Sequence, residues 1–228
     1  MVSKDVIKAI GNFTTCDAAD ALQKLRVPHG GFLSGLTMWS LRRQSGTTKI
    51  VGPAYTVKYV PKHDETAPKP SGHYIDSIPA GSVVFISSPP RLINAVYGGL
   101  MTTRAKASGA VGTVVDGRIR DLQEHREAGY PVFARDVGTS APAEVVRVSE
   151  INAPVKLQTD EQDAIIHPGD IIIADLNGVV CIPQDLADRI VDLMASQAEA
   201  DEKVAADIRA GRTFTEASKE HRSKVKQP

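Results

Sequence analysis

Neither sign of charge prevails in this sequence: 27 Lys and Arg stand against 27 Asp and Glu, so the formal net charge is zero. A dedicated nucleic-acid binder carries a basic excess, and its absence argues against nucleic acid as a partner. Cysteine is scarce. Cys16 and Cys181 are far apart and outside any C-x-x-C spacing, which excludes a disulfide framework and leaves two reduced, buried thiols as the expectation. Long apolar runs are missing as well. No stretch approaches the roughly 20 residues needed to span a bilayer, and Met1 to Asp5 contains no apolar signal core. No membrane partner is therefore expected, and the expected location is cytoplasmic. No internal repeat is found, which sets aside a solenoid.

What is present is ordinary globular material. With 228 residues, 42% of them hydrophobic, the chain can bury a real core. It is read as one domain over residues 1–228, with its core at about 10–215 and a polar, frayed tail over 219–228. Residues 3–25 read as helical, with Asp17 and Asp20 near Cys16 taken as helix-capping residues rather than site residues. Ile50 to Val60 is rich in β-branched and aromatic residues and reads as a strand, with Gly52-Pro53 as a bulge or edge start. Pro61 to Gly72 is a polar, proline-rich surface loop, and His73 to Ser77 a short helix.

The middle of the chain alternates. Ser82 to Ser87 is an apolar strand, Gly98 to Ser108 a helix, Ala110 to Val115 a strand, Asp121 to Ala128 a helix and Pro131 to Ala134 a strand, with Asp116-Gly117 as a turn. Strand–helix alternation argues for parallel βαβ units. Residues 143–182 differ: short strands at Val145–Val148, Val155–Leu157, Ile171–Asp175 and Val179–Ile182 are separated by turns. Asn177-Gly178 between two apolar runs is a strong hairpin signal, so this part reads as an antiparallel layer. A long final helix runs from about Asp185 to Ala210, with Leu186, Ile190, Leu193 and Met194 at helical spacing.

The chemistry concentrates between Gly98 and Glu124. Gly98-Gly99 opens a helix after a buried strand; glycine there admits close approach to the backbone, and the free N–H groups of the first turn form an anion site. Arg120-Asp121 follows the next parallel strand, and ligands bind at the carboxyl ends of such strands. Both segments should therefore face one crevice. Arg120 can clamp a carboxylate or enolate oxygen with its fork of donors. Asp121 and Glu124 can offer two carboxylates to one ion, an oxygen set suited to Mg²⁺ or Mn²⁺. A bland reading stands beside each piece. Asp121-x-x-Glu124 is also the letter pattern of a capping box, Gly98-Gly99 suits a close helix–sheet contact, and a lone Arg120 suits a solvated surface.

Together these residues carry a resemblance. Gly99, twenty residues, Arg120-Asp121, two residues and Glu124 match the pattern G-x20-R-D-x2-E/D of the RraA-like proteins and 4-hydroxy-4-methyl-2-oxoglutarate aldolases. Gly52 to Val57, Gly169 to Asp175 and Gly178 to Val180 are also similar, so the likeness covers roughly residues 10–215. The wording of Gly98–Arg104 and Gly117–Asp121 is most similar to fungal-type members.

The resemblance implies an α/β fold: a layered α/β/β sandwich of the swivelling type, with a parallel βαβ core, an antiparallel β layer and a long C-terminal helix. It implies a homotrimer, or a dimer of trimers, with sites between subunits. The backbone N–H groups beside Gly99, at Leu100 and Met101, would hold a pyruvate carboxylate. Arg120 would bind the keto oxygen. Asp121 would bind the metal with support from Glu124, and a glutamate of a neighbouring subunit, Glu199 or Glu202, would complete the catalytic set. Dedicated bacterial aldolases of this kind carry Asp where this chain has Gly99, a departure for which the resemblance implies that Glu124 would compensate in metal binding.

The implied activity is a class II, divalent-metal-dependent lyase. It would cleave 4-hydroxy-2-oxo acids to pyruvate and decarboxylate oxaloacetate through the same enolate. No lysine is placed for a Schiff base, and Lys106 reads as solvated. Asp116 is the expected positioning partner of Arg120. His125 reads as a helix-surface residue, and His63 and His73 have no ligand spacing. The alternative is a non-catalytic trimeric scaffold that regulates an RNA-processing enzyme, a role that would not need the Asp121/Glu124 pair.

Overall fold

The computed structural model describes residues 2–223 and 225. In chain order the helices are α1 (Lys4–Ile10), α2 (Thr15–Lys24), α3 (Gly99–Ala107), α4 (Leu122–Glu127), α5 (Ala187–Arg209) and α6 (Phe214–Arg222). The first strands are β1 (Phe32–Leu33), β2 (Thr37–Ser40), β3 (Ile50–Pro61), β4 (Val83–Ser87), β5 (Ala95–Tyr97) and β6 (Gly112–Ile119). They are followed by β7 (Val132–Val137), β8 (Val146–Ile151), β9 (Val155–Lys156), β10 (Ile165–Ile166), β11 (Ile171–Asp175) and β12 (Gly178–Ile182).

The main sheet follows the path β1-β12-β11-β3-β4-β6-β7-β2, with β5 added to β6 and β8 to β3. β3, β4, β6 and β7 are parallel neighbours. β11 and β12 form the antiparallel hairpin that Asn177-Gly178 announced. β3 serves both parts: residues 50–53 pair antiparallel with β11, and residues 54–58 pair parallel with β4. The change of partner falls at Gly52-Pro53. A Cβ on Gly52 would stand 2.5 Å from the Gly81 carbonyl oxygen, so only glycine allows the two chains to approach this closely.

β1 and β2 lie at opposite ends of the sheet path, yet only residues 34–36 separate them. The sheet must therefore curl. Side chains alternate across each strand, and the alternation divides the core. Ala54, Phe85, Val114 and Phe133 meet Ile172, Ala174 and Val179 inside the curl. Their neighbours Val84, Ile86 and Val115 face outward and pack with Ala105 of α3 and Leu122 of α4. Ile171, Ile173, Val180 and Ile182 face out on the other side, beneath Leu22 of α2 and Ile190 and Met194 of α5. Each such buried aliphatic stabilises the fold by about 1.5–3 kcal/mol. The parallel core, the antiparallel layer and the long C-terminal helix are all present.

Several local expectations are corrected. Asp116-Gly117 is not a turn: β6 continues to Ile119, because β4, β5 and β7 all hydrogen-bond to it. The 3–25 segment is two helices. Thr14, not Asp17, caps α2, and Asp17 is its reciprocal partner at the third helical position. Cys16 is exposed rather than buried, whereas Cys181 is buried; both are free thiols. Lys219 to Arg222, expected to fray, belong to α6, which His221 and Arg212 tie to Asp207 of α5. Residues 224 and 226–228 of that tail lie outside the described residues. No helix among the described residues is long and apolar enough to cross a membrane.

Candidate active site

β5 and β6 run side by side and deliver two helix starts to one place. β5 ends at Tyr97 and passes through Gly98 into α3; β6 ends at Ile119 and passes through Arg120-Asp121 into α4. The Arg120 N–H donates to the Tyr97 carbonyl at 3.0 Å, which closes the two ends together. Between them is a cleft of about 210 Å³, lined by Gly98 to Met101, Arg120 and Asp121, with Tyr59, His73, Tyr97 and Pro142 among the other walls. The sequence thus brought Gly99, Leu100, Met101, Arg120 and Asp121 to a common crevice. Gly98 at the N-cap offers no side chain to the first turn of α3, whose N–H groups have no partners within the helix. A larger cleft, about 560 Å³, between Phe32, His29 and His167 contains none of the motif residues.

Asp121 decides between the two readings of its motif. It stands at the N-cap position of α4 in left-handed backbone, φ 61° and ψ 43°, and makes no side-chain cap. The capping-box reading therefore fails. The left-handed turn costs about 1–2 kcal/mol for a residue other than glycine and swings the carboxylate away from α4. Asp121 Oδ2 instead accepts the Gly99 N–H at 3.0 Å and lies 3.4 Å from Arg120 Nε. Local strain held in place by neighbours is a mark of functional sites. The Asp121 side chain remains one-third exposed, at 33%.

Glu124 completes the picture from the opposite side. A Cβ built on Gly99 would fall on the Glu124 carboxyl group, and one built on Gly98 would stand 2.5 Å from Asp121 Oδ2. Two consecutive glycines thus each have a carboxylate where a side chain would otherwise be. Asp121 lines the cleft, and the Glu124 carboxyl group lies against its Gly99 wall. Two hard oxygen donors of this kind suit Mg²⁺ or Mn²⁺ retaining several waters, so the donor chemistry fits the implied metal. The one cluster of three potential ligands found among the described residues is Asp207, Glu220 and His221. It lies between α5 and α6, where Arg212 already bridges the two carboxylates.

A buried network backs the two helix starts. His125, expected on the surface, is fully buried, because the face of α4 that bears it turns toward α3. Its Nδ1 lies 2.8 Å from Thr102 Oγ1, and its ring stacks on Tyr97. Thr102 and Thr113 both donate to the Tyr97 hydroxyl at 3.1 Å, and Thr113 meets the Tyr130 hydroxyl. Burial lowers the His125 pKa, opposed by the Arg120 carbonyl and the Asp121 charge. Burial also pushes the Tyr97 hydroxyl up to about 12. The network therefore holds α3 and α4 together as neutral groups.

Other expected residues fall elsewhere. Asp116 does not orient Arg120: its buried carboxylate pairs with Arg135 and accepts the Gln158 N–H at 2.6 Å. The cause is the continuation of β6, which carries Arg120 four residues beyond Asp116. Burial raises the Asp116 pKa against the pull of Arg135. Glu199 and Glu202 are exposed on α5 and do not line the cleft of their own chain; Glu199 pairs with Lys203 at 2.6 Å. Lys106 reaches the Ala128 carbonyl on the exposed side of α3. Sequence reasoning missed Tyr59 and His73 as cleft residues. Neither has a spacing signal, since tertiary packing alone brings them there.

Comparison with known proteins bears on the family and the fold. A model of the RraA-like family, described as Aldolase/RraA, matches residues 15–181. Protein DlpA of Legionella pneumophila is 30% identical over 218 residues, which is 95% of this chain but 34% of DlpA. The chain thus spans about a third of the length of that relative. A putative 4-hydroxy-4-methyl-2-oxoglutarate aldolase of Halalkalibacterium halodurans is 30% identical over 75% of this chain and 78% of its own. Among solved structures, an uncharacterised protein of Pseudomonas syringae superposes with a TM-score of 0.80 at 29% identity, covering 95% of this chain and 98% of that one. The chain belongs to the RraA-like, Aldolase/RraA family.

Proposed function

We propose that the protein is a metal-dependent carbon–carbon lyase acting on small 2-oxo acids. It would cleave 4-hydroxy-4-methyl-2-oxoglutarate-type substrates to pyruvate and decarboxylate oxaloacetate through the same enolate. The observation that carries this reading is the Asp121 carboxylate, which forgoes capping α4 and instead accepts the Gly99 N–H beside Arg120. An acidic residue held off its helix in left-handed backbone and turned toward a neighbouring helix start supports a role in the site.

In the proposed mechanism the N–H groups of Leu100 and Met101 hold the substrate carboxylate, and the Arg120 guanidinium binds the 2-keto oxygen. As negative charge builds on that oxygen during C–C cleavage, Arg120 stabilises it within the cleft. Asp121 and Glu124 would hold Mg²⁺ or Mn²⁺, which supplies Lewis-acid polarisation of the keto group when bound. Asp121 Oδ1 has no hydrogen-bond partner among the described residues and would orient a water that returns the proton to C3.

Assembly and placement belong to the same proposal. We take the chain as one domain that forms a homotrimer, in which Glu199 or Glu202 of a neighbouring α5 enters the cleft. Both are exposed and sit on the C-terminal helix. The fungal-type affiliation rests on the wording of Gly98–Arg104 and Gly117–Asp121, and the cytoplasmic location on composition. The direct test is pyruvate release from oxaloacetate and from 4-hydroxy-4-methyl-2-oxoglutarate, with Mg²⁺ or Mn²⁺ and then with a chelator. Metal-dependent release from either is expected. No release from either by folded, metal-supplied protein would remove the lyase reading and favour a binding scaffold.

A further inference from the structure

The motif residues account for a pyruvate unit, but the cleft has walls that pyruvate does not need. Tyr59 and His73 reach it from β3 and from the turn before Tyr74. Among the polar side chains there, most are already engaged. The Tyr59 hydroxyl donates to the Val96 carbonyl at 3.4 Å and is held as a neutral phenol by burial, which pushes it up to about 12. The Tyr97 hydroxyl lies buried between Thr102 and Thr113. Arg120 and Asp121 face each other.

His73 differs. Its Nδ1 accepts the Ile75 N–H at 3.3 Å, so the neutral ring must carry its proton on Nε2. The ring lies flat against Tyr74, with centroids 5.0 Å apart and planes at 26°, which fixes its direction. Nε2 has no hydrogen-bond partner among the described residues. The residue is exposed, so one cleft wall presents an oriented donor that the described residues leave to solvent or to a ligand.

Resting on the lyase reading above, we infer that His73 is a specificity-determining residue. Its Nε2–H receives a carboxylate carried by the part of the substrate beyond C3, so the cleft selects 2-oxo diacids over 2-oxo monoacids. Asp121 and Glu124 repel a second carboxylate at the motif end of the cleft; a donor elsewhere in it allows a diacid to enter in one orientation.

The test uses two ligands and two variants. Pyruvate supplies the anchored unit alone. 2-Oxoglutarate adds a distal carboxylate and, lacking a 4-hydroxyl, cannot undergo aldol cleavage. Both are titrated calorimetrically into the intact protein with Mg²⁺. His73→Asn retains an acceptor near the position of Nδ1 for the Ile75 N–H but removes the Nε2 donor; His73→Gln keeps a donor near Nε2 and loses the acceptor. The expected result is tighter binding of 2-oxoglutarate than of pyruvate by the unsubstituted protein. That preference should fall about tenfold or more in His73→Asn, largely survive in His73→Gln, and leave pyruvate affinity unchanged. The reverse ranking, with Asn intact and Gln impaired, would show that His73 only caps its turn and would overturn the inference alone. Equal weakening of both ligands would do the same. Failure of the unsubstituted protein to bind either ligand would overturn the lyase reading and this inference with it.

Discussion

The carboxyl group of Glu124 occupies the volume that a side chain on Gly99 would need. The two residues lie in the first turns of different helices. In the proposed metal site the supporting acidic group would thus arrive from α4 rather than from α3. Gly99 has no left-handed φ, so its torsions admit an L side chain, and the nearest atoms that side chain would meet are the carboxyl group and the Cβ of Glu124. Gly99→Ala is expected to fold normally and to lose about 10- to 100-fold in metal affinity, the usual effect of disturbing a supporting metal-site group. Gly99→Asp combined with Glu124→Gly should recover part of the loss. A fully active Gly99→Ala would detach Glu124 from the site.

Asp121→Asn separates charge from shape. Asparagine tolerates left-handed backbone and still offers an oxygen to the Gly99 N–H, so folding stability should stay within about 1 kcal/mol. Pyruvate release should nonetheless fall at least about a hundredfold, because the carboxylate is gone from the metal site. Thermal unfolding and steady-state turnover on one preparation provide the check. Turnover near that of the unsubstituted enzyme would remove Asp121 from the chemistry.

Arg120→Lys keeps the positive charge and loses the planar fork. A single ammonium cannot face Asp121 through one nitrogen and bind a keto oxygen with others. Turnover is expected to drop about a hundredfold or more, comparable to the loss of one charge-stabilising donor. A change confined to KM, with kcat preserved, would assign Arg120 to substrate capture alone.

The α5–α6 junction predicts an acid-sensitive contact. Asp207 is held below the ordinary carboxylate range, first by its hydrogen bond to His221 and then by Arg212. A depressed folded-state value means that the contribution is present above the ordinary aspartate pKa, near 3.9. It is lost as pH falls from there through the lower folded value. Relative to the intrinsic exchange rate at each pH, protection of the α6 amides should fall below about pH 4, and Asp207→Asn should show that loss of protection at neutral pH. Protection of α6 that is the same in both proteins at neutral pH and does not fall on acidification would refute the link.

Patterns of period two and long apolar faces made the sheet and α5 legible in the sequence, as did the Asn177-Gly178 hairpin. What escaped reading was set by tertiary contacts. Asp116-Gly117 has the letters of a turn, yet β6 runs through it because strands on both sides supply its hydrogen bonds and Ser88 packs where Gly117 lacks a side chain. Asp121-x-x-Glu124 has the letters of a capping box, and only the φ of Asp121 shows that it is not one. His125 follows charged residues on a short helix, and nothing local reveals that Thr102 and Tyr97 enclose it. β5 is three residues long, too short to show a period, although it aligns the first turn of α3 with Arg120.

The double allegiance of β3 has a consequence for how the molecule comes apart. One continuous strand of 12 residues holds the hairpin of β11 and β12 on one stretch and the parallel strands on the next. Releasing either part would fray the strand on which the other depends, so the two have no seam along which to separate. Denaturant should therefore meet one transition rather than two, with a steepness set by the whole buried surface rather than by either half.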